Sequence, residues 1–250
     1  IDVEAAERLG IQVTNAADAN SGSVAEFTLG LILSLAKKLP QSRDGLRKEG
    51  WSIRPQISTF DLEGKTLGVL GMGRIGTAVA RKASYGFGMK VLGYRRNLPG
   101  DICADYGILT SDLDKVIRNS DFLSIHLPYT KDTFHLVSRE KLELMKPDAY
   151  LLNLGRGEVV DQAALRELLL SNRLAGAALD VFEGEIPDAD DPLLHMDQVI
   201  ATPHIAGLSK QAMERLSYQA ALGITEVLEG RKVTYPVNHP EKYASDVSVA

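Results

Sequence analysis

The stretch TLGVLGMGRIG, Thr66 to Gly76, decides the fold. Thr66 to Leu70 is an apolar run of strand length. Gly71, Gly73 and Gly76 then form G-x-G-x-x-G, and Arg74 to Tyr85 carries a helical pattern. The motif alone is weak evidence, but one that comes after a strand and opens a helix has a mechanism. The first glycine permits a tight turn, the second lets the backbone approach a pyrophosphate, and the third lets helix and strand pack closely. The helix start adds free N–H groups and a partial positive charge. Gly71, Gly73, Arg74, Ile75 and Gly76 are therefore candidate dinucleotide-binding residues. The alternative is a plain glycine-rich turn between strand and helix.

The alternation continues outward. Strands are expected at Lys90 to Tyr94, Phe122 to Leu127 (stopped by Pro128), Ala149 to Leu154, Ala175 to Val181 and Val199 to Ala201. Helices are expected at Ser111 to Arg118 with Ser111 as N-cap, Ser138 to Met145 before Pro147, and Asp161 to Leu170 with Asp161 as N-cap. Strands alternating with helices predict an α/β fold, a parallel sheet covered on both faces, with ligands at the carboxyl ends of the strands. Val24 to Lys38 is a helix apolar on most faces, buried on both sides or packed on a partner subunit. Ser209 to Glu229 is a long helix stopped by Gly230, and Asn238 to Ala250 reads as a tail.

Composition narrows the function. The 250 residues suit one or two domains. A net charge of -5 excludes a general nucleic-acid binder, which needs a basic excess for phosphate contacts. The apolar run Phe27 to Ala36 is too short to cross a membrane. Cys103 is the only cysteine, so no intrachain disulfide forms, and a reducing, cytoplasmic compartment is expected. No cluster has metal-ligand spacing, so no metal site is expected. The chain opens on Ile1 without a visible signal peptide, and an incomplete N-terminus is expected.

One position breaks the dinucleotide pattern. An acid about 20 residues beyond the last glycine usually holds the adenine ribose. Here that place reads Tyr94-Arg95-Arg96. Guanidinium pairs with a 2′-phosphate, so Arg95 and Arg96 point to NADP, with Asn97 adding a hydrogen bond. The alternative is a pair of solvated arginines that only relax selectivity and leave NAD usable.

Six blocks occur in order: VTNAADANSGSVAEFTLGLILSLAK, LEGKTLGVLGMGRIG, HLPYTKDTFHLV, LNLGRGEVVD, LAGAALDVFEGEIP and VIATPHIAG. With them the chain resembles the D-isomer-specific 2-hydroxyacid dehydrogenases over most of its length. The resemblance implies a Rossmann doubly wound parallel sheet with remnants of a second, flavodoxin-like substrate domain. Residues 21–206 would form the cofactor domain with its dimerisation helix, while residues 1–20 and 207–250 would belong to the substrate domain. Roughly the first hundred residues of a full-length member would be absent. A homodimer is implied, with contacts at the helix from Val24 and near Trp51, and the two domains would close over the cleft.

The resemblance also assigns roles. His204, in TPHIAG, matches the general acid/base; alone it would read as a satisfied loop histidine. Glu185 matches the carboxylate beside that imidazole, where it favours the protonated ring and fixes its tautomer. Ile186 stands in place of the usual proline, Pro187 comes one later, and Glu183 is the weaker candidate. Arg156, otherwise an exposed arginine in a glycine turn, would bind the substrate carboxylate and polarise its carbonyl. Asp180 matches an aspartate near the nicotinamide carboxamide, or else is a strand-end cap for the next turn. Pro128, Thr133 and Gly207 match cofactor-lining positions. His126 is expected as pocket wall, while His135, His195 and His239 have no matching role. The implied activity is an NAD(P)-dependent D-2-hydroxyacid dehydrogenase acting with NADPH on a small 2-oxo acid such as glyoxylate or hydroxypyruvate. The alternatives are a phosphoglycerate dehydrogenase, although the chain stops too soon after Gly230 for that enzyme's regulatory domain, or a dinucleotide-binding corepressor. A formate dehydrogenase fits less well, because its relatives place glutamine where Glu185 stands.

Overall fold

Strands β1 (Thr66–Leu70), β2 (Lys90–Tyr94), β3 (Ile108–Thr110), β4 (Phe122–Ile125), β5 (Tyr150–Asn153), β6 (Gly176–Leu179) and β7 (Val199–Ala201) pair in parallel in the order β3-β2-β1-β4-β5-β6-β7. The computed structural model describes residues 1–96 and 108–240. The order reverses between β1 and β4, where Val69 is in register with Gly93 on one side and Ser124 on the other. This is the topological switch point at which open α/β sheets bind ligands. Asn97 and Cys103 lie outside the described residues.

Helices α1 (Val3–Arg8), α2 (Ser21–Ala36), α3 (Leu39–Glu49), α4 (Arg74–Phe87), α5 (Leu113–Asn119), α6 (Arg139–Leu142), α7 (Gln162–Leu170) and α8 (Lys210–Leu228) complete the regular structure. Successive strand residues face opposite sides, so a buried parallel strand feeds two cores. Leu67, Val69 and Leu152 join Ile32, Val79 and Ala83 of α2 and α4. Leu70, Leu123 and Leu151 join Ile117, Leu165 and Leu169 of α5 and α7. Phe122 is fully buried and stacks on Tyr150, with centroids 5.1 Å apart. Burying each such side chain contributes about 1.5–3 kcal/mol.

Several boundaries differ from the sequence expectation for local reasons. Asp112, not Ser111, caps α5, its Oδ1 accepting from Lys115 N at 2.9 Å. Helix α2 stops at Ala36, and Lys38 adopts a left-handed φ of 47° before Pro40 opens the first turn of α3. Helix α6 is a single turn. The edge strand β3, too short to have a readable period, is defined by its pairing with Val91 to Gly93.

The chain divides into two compact units, Gly22–Ala206 and Ile1–Ser21 with the chain from Gly207 onward. Within the smaller unit Ser209 caps α8, accepting from Ala212 N. Gln219 and Arg215 on α8 donate to Asp18 Oδ1 and the Ala19 carbonyl, both at 2.8 Å. Asn238 is no tail residue: it is buried, its Oδ1 accepts from Val13 N at 2.7 Å, and its amide donates to Ile11 O. Among the described residues no helix is long and apolar enough to cross a membrane.

Candidate active site

Each functional loop leaves the carboxyl end of a strand. After β1, Gly71 takes a φ of +99°, and a Cβ there would lie 2.8 Å from the His126 carbonyl at the end of β4. A Cβ on Gly76 would lie 2.1 Å from Gly71 O, so these two glycines are fixed by packing. Gly73 differs. Its φ of −86° suits any residue, and a Cβ would meet nothing within 4 Å. As the N-cap of α4 it supplies no side-chain cap, and Arg74 and Ile75 open the first turn. The open space above Gly73 at a helix start is the cradle that a pyrophosphate fits.

Asp180 ends β6 and is 2% exposed. Its Oδ1 accepts from Thr202 Oγ1 at 2.6 Å and Ile205 N at 2.9 Å, and its Oδ2 from Ala206 N at 3.0 Å. Asp180 therefore does not cap the turn that comes after its own strand; it anchors the loop bearing His204. Thr202 lies inside the TPHIAG block without an assigned role, yet it is the first anchor of that loop.

His204 and Glu185 are two of only five non-glycine residues with positive φ among the described residues, at 54° and 69°. Side chains in that region cost about 1–3 kcal/mol and cluster at functional sites. Both line one cavity of about 400 Å³ with Asp180, Phe182, Ile186 and Thr202. They share this lining, yet no hydrogen bond or ion pair joins them, contrary to the paired geometry expected. Each rides on its own exposed turn, held by backbone bonds: His204 N to Thr202 O and Glu185 N to Phe182 O, both 3.0 Å. Glu183 is engaged elsewhere, its Oε1 lying 2.9 Å from His135 Nε2.

Arg156 comes after β5 and is exposed; it is not among the residues lining that cavity. Its turn is clamped by Asn153, whose Oδ1 accepts from Gly155 N at 3.1 Å and whose Nδ2 donates to Arg156 O at 2.9 Å. Both flanking glycines are required. A Cβ on Gly155 would sit 2.6 Å from Leu127 O, and one on Gly157 1.9 Å from the Phe182 carbonyl. The second contact sets the Arg156 turn against the start of the loop that carries Glu185. The asparagine preceding L-G-R-G is the sequence signal that marks this clamp.

Arg95 and Arg96 are exposed at the end of β2. Arg96 Nη1 pairs with Asp132 Oδ2 at 2.8 Å, whereas Arg95 has no hydrogen bond or ion pair among the described residues. The hydroxyl of buried Thr133 donates to Pro128 O and accepts from Thr130 N, both at 2.7 Å, closing the turn in which Asp132 sits. His126 is held at the end of β4: Nε2 contacts Ser124 Oγ at 2.8 Å, Nδ1 is buried without a partner, and burial pushes the imidazole down to about 4, so it stays neutral. Gly207 belongs to the smaller unit, where a Cβ would lie 2.8 Å from Asn20 Nδ2.

Residues 29–206 match the family model of the D-isomer specific 2-hydroxyacid dehydrogenase NAD binding domain. D-3-phosphoglycerate dehydrogenase of Methanocaldococcus jannaschii is 42% identical over 241 residues, 96% of this chain but 45% of that protein. The chain thus spans about half the length of that relative. Among solved structures, an NADPH-dependent glyoxylate/hydroxypyruvate reductase from Sinorhizobium meliloti, in complex with NADP and malonate, aligns with a TM-score of 0.83 and 32% identity, covering 95% of this chain and 73% of that one. D-lactate dehydrogenase from Aquifex aeolicus, complexed with NAD and lactic acid, aligns with a TM-score of 0.83 and 36% identity over 92% of this chain and 73% of that one. The chain belongs to the D-isomer-specific 2-hydroxyacid dehydrogenase family.

Proposed function

We propose that this chain carries the cofactor-binding and catalytic residues of an NADPH-preferring dehydrogenase that reduces a small 2-oxo acid, glyoxylate or hydroxypyruvate, to its D-2-hydroxy acid. The observation that carries the cofactor choice is Arg95, charged and without a partner among the described residues, where an acid would hold an NAD ribose. Gly71, Gly73 and Gly76 with the start of α4 would hold the pyrophosphate, and Pro128 and Thr133 would line the adenosine side. When bound, the reduced nicotinamide supplies the hydride for C2 of the substrate.

The chain's own residues supply the rest. His204, as imidazolium, gives its proton to the carbonyl oxygen as that oxygen gains negative charge. Glu185, across the shared cavity, stabilises the imidazolium; their hydrogen bond closes when substrate draws the two turns together, since such bonds are often open before ligand binds. Arg156 holds the substrate carboxylate with a forked, permanently charged group and steadies the developing oxyanion. Residues 1–21 and the chain from Gly207 onward would form part of the substrate domain, and a homodimer is the proposed assembly.

The second reading is a phosphoglycerate dehydrogenase, favoured by the identity to the Methanocaldococcus protein. A substrate panel on the full-length protein with NADPH separates the two. Turnover of glyoxylate and hydroxypyruvate well above 3-phosphohydroxypyruvate supports the first. The reverse order selects the second, and no turnover of any 2-oxo acid points to a binding protein.

A further inference from the structure

The His135–Glu183 pair has no place in the chemistry of hydride and proton transfer. His135 lies in the segment before α6 with a φ of 45°. Its N donates to Glu158 O at 2.8 Å, and its ring stacks on Phe134 with centroids 4.1 Å apart. Its Nε2 is 2.9 Å from Glu183 Oε1, with both side chains about one-third exposed. Glu183 is held a second time, because its N donates to Gln162 Oε1 at 2.9 Å. Glu183 therefore has its backbone tied to α7 and its carboxylate tied to His135.

The turn immediately after Glu183 needs such an anchor. Gly184 and Glu185 are consecutive left-handed residues, at 79° and 69°. Two backbone bonds within the turn hold them, Glu185 N to Phe182 O and Ile186 N to Gly184 O. A non-glycine residue in that region persists only where its surroundings over-determine it. Phe182 is buried on the near side, but Ile186 on the far side is 86% exposed and anchors nothing.

We propose that His135 and Glu183 are positioning residues, a clamp that holds the Phe182 to Ile186 turn so that the Glu185 carboxylate faces His204. This rests on the proposed role of Glu185 as the partner of the imidazolium. The clamp works with a neutral or a charged imidazole, because Nε2–H donates to the carboxylate in either case.

Two measurements on the full-length protein test it. The first is hydrogen exchange of the Glu185 and Ile186 amides, which reads the clamp without any turnover. In Glu183→Ala and His135→Asn, exchange of this turn speeds up by about tenfold as local opening becomes easier, while the strand amides keep their protection. Asparagine is chosen because it tolerates the left-handed backbone but falls short of Glu183. Glu183→Gln keeps an acceptor for Nε2–H and restores slow exchange. Unchanged exchange in both clamp variants overturns the clamp, as does a Glu183→Gln variant as loose as Glu183→Ala.

The second is glyoxylate reduction. Both clamp variants lower kcat by about ten- to a hundredfold, the range for a misplaced catalytic group, with KM and NADPH affinity little changed. The double variant is no slower than the slower single one, as for residues acting as one unit. Full kcat in the clamp variants beside a dead Glu185→Gln overturns the proposal alone. Full kcat in Glu185→Gln overturns the assignment beneath it and the proposal with it.

Discussion

Thr202 donates its hydroxyl to Asp180 over 2.6 Å, and the backbone N–H groups of Ile205 and Ala206 close on the same carboxylate. His204 is thereby bracketed by contacts to a single buried side chain at the end of β6. Its left-handed φ of 54° is the conformation this bracket enforces. In Asp180→Ala three donors lose their acceptor. Leaving buried donors unsatisfied costs about 1–3 kcal/mol each before water relaxes the site. Urea unfolding is expected to show a loss of about 3 kcal/mol, and kcat to fall by about a hundredfold as His204 drifts. Near-normal stability with near-normal kcat would contradict the bracket.

Gly73 and Gly157 predict opposite phenotypes for the same substitution. Gly73→Ala adds a methyl to open space. The fold should change by less than about 0.5 kcal/mol, while NADPH affinity falls at least tenfold, about 1.4 kcal/mol, because the methyl occupies the pyrophosphate's place. Gly157→Ala drives a Cβ to 1.9 Å from the Phe182 carbonyl. It should cost about 3 kcal/mol or more of stability, because backbone must move. Thermal melts beside NADPH titrations distinguish them, and a destabilised Gly73→Ala that still binds NADPH would refute the cradle.

His126 gives a pH dependence whose sign can be worked out. Burial lowers the folded imidazole from 6.5 to about 4. Between those values the unfolded chain takes up a proton that the folded chain refuses, so stability is lost as pH falls from 6.5 toward 4. By pH 5 the loss is about 2 kcal/mol, at 1.36 kcal/mol per pH unit. Asp121 and Asp191 are held below the usual carboxylate range, by Lys146 and the Thr66 N–H and by the Leu193 N–H and Arg166 respectively, both against desolvation. Their contribution is present above about pH 4 and fades below it, outside this window. Comparing urea unfolding at pH 7.5 and 5.0, the drop should be about 2 kcal/mol smaller in His126→Gln than in the parent. Equal drops would show that the imidazole is protonated in the fold.

The sheet was legible because its strands are buried on both faces and read as apolar runs bounded by turns. The glycine turn after β1 was legible because packing at Gly71 and Gly76 leaves no other residue possible. The Asp161 N-cap was legible for a similarly local reason, its Oδ1 accepting from Ala164 N at 2.9 Å. What escaped depended on distant partners. Ile108–Thr110 becomes a strand only beside Val91 to Gly93. Asn238 looked like tail until it met Ile11 to Val13, more than two hundred residues away. In the site, the family resemblance singled out Glu185 and His204, but it gave no role to Thr202, whose partner is Asp180. The contact of Glu183 with His135 was likewise a tertiary matter that no spacing announces. Arg96 read as a phosphate ligand from its place in the sequence, yet it meets Asp132. That exposed pair contributes at most about 1 kcal/mol, so a phosphate can displace it.

If Arg95 selects the 2′-phosphate, the most direct measurement is the ratio of kcat/KM for NADPH to that for NADH, with glyoxylate as common substrate. A ratio of about ten or more is expected, a preference worth about 1.4 kcal/mol or above. Arg95→Asp should invert the preference, because a carboxylate repels the phosphate and accepts the ribose hydroxyls. A ratio at or below one in the parent, or a ratio that Arg95→Asp leaves unmoved, would contradict selection by Arg95.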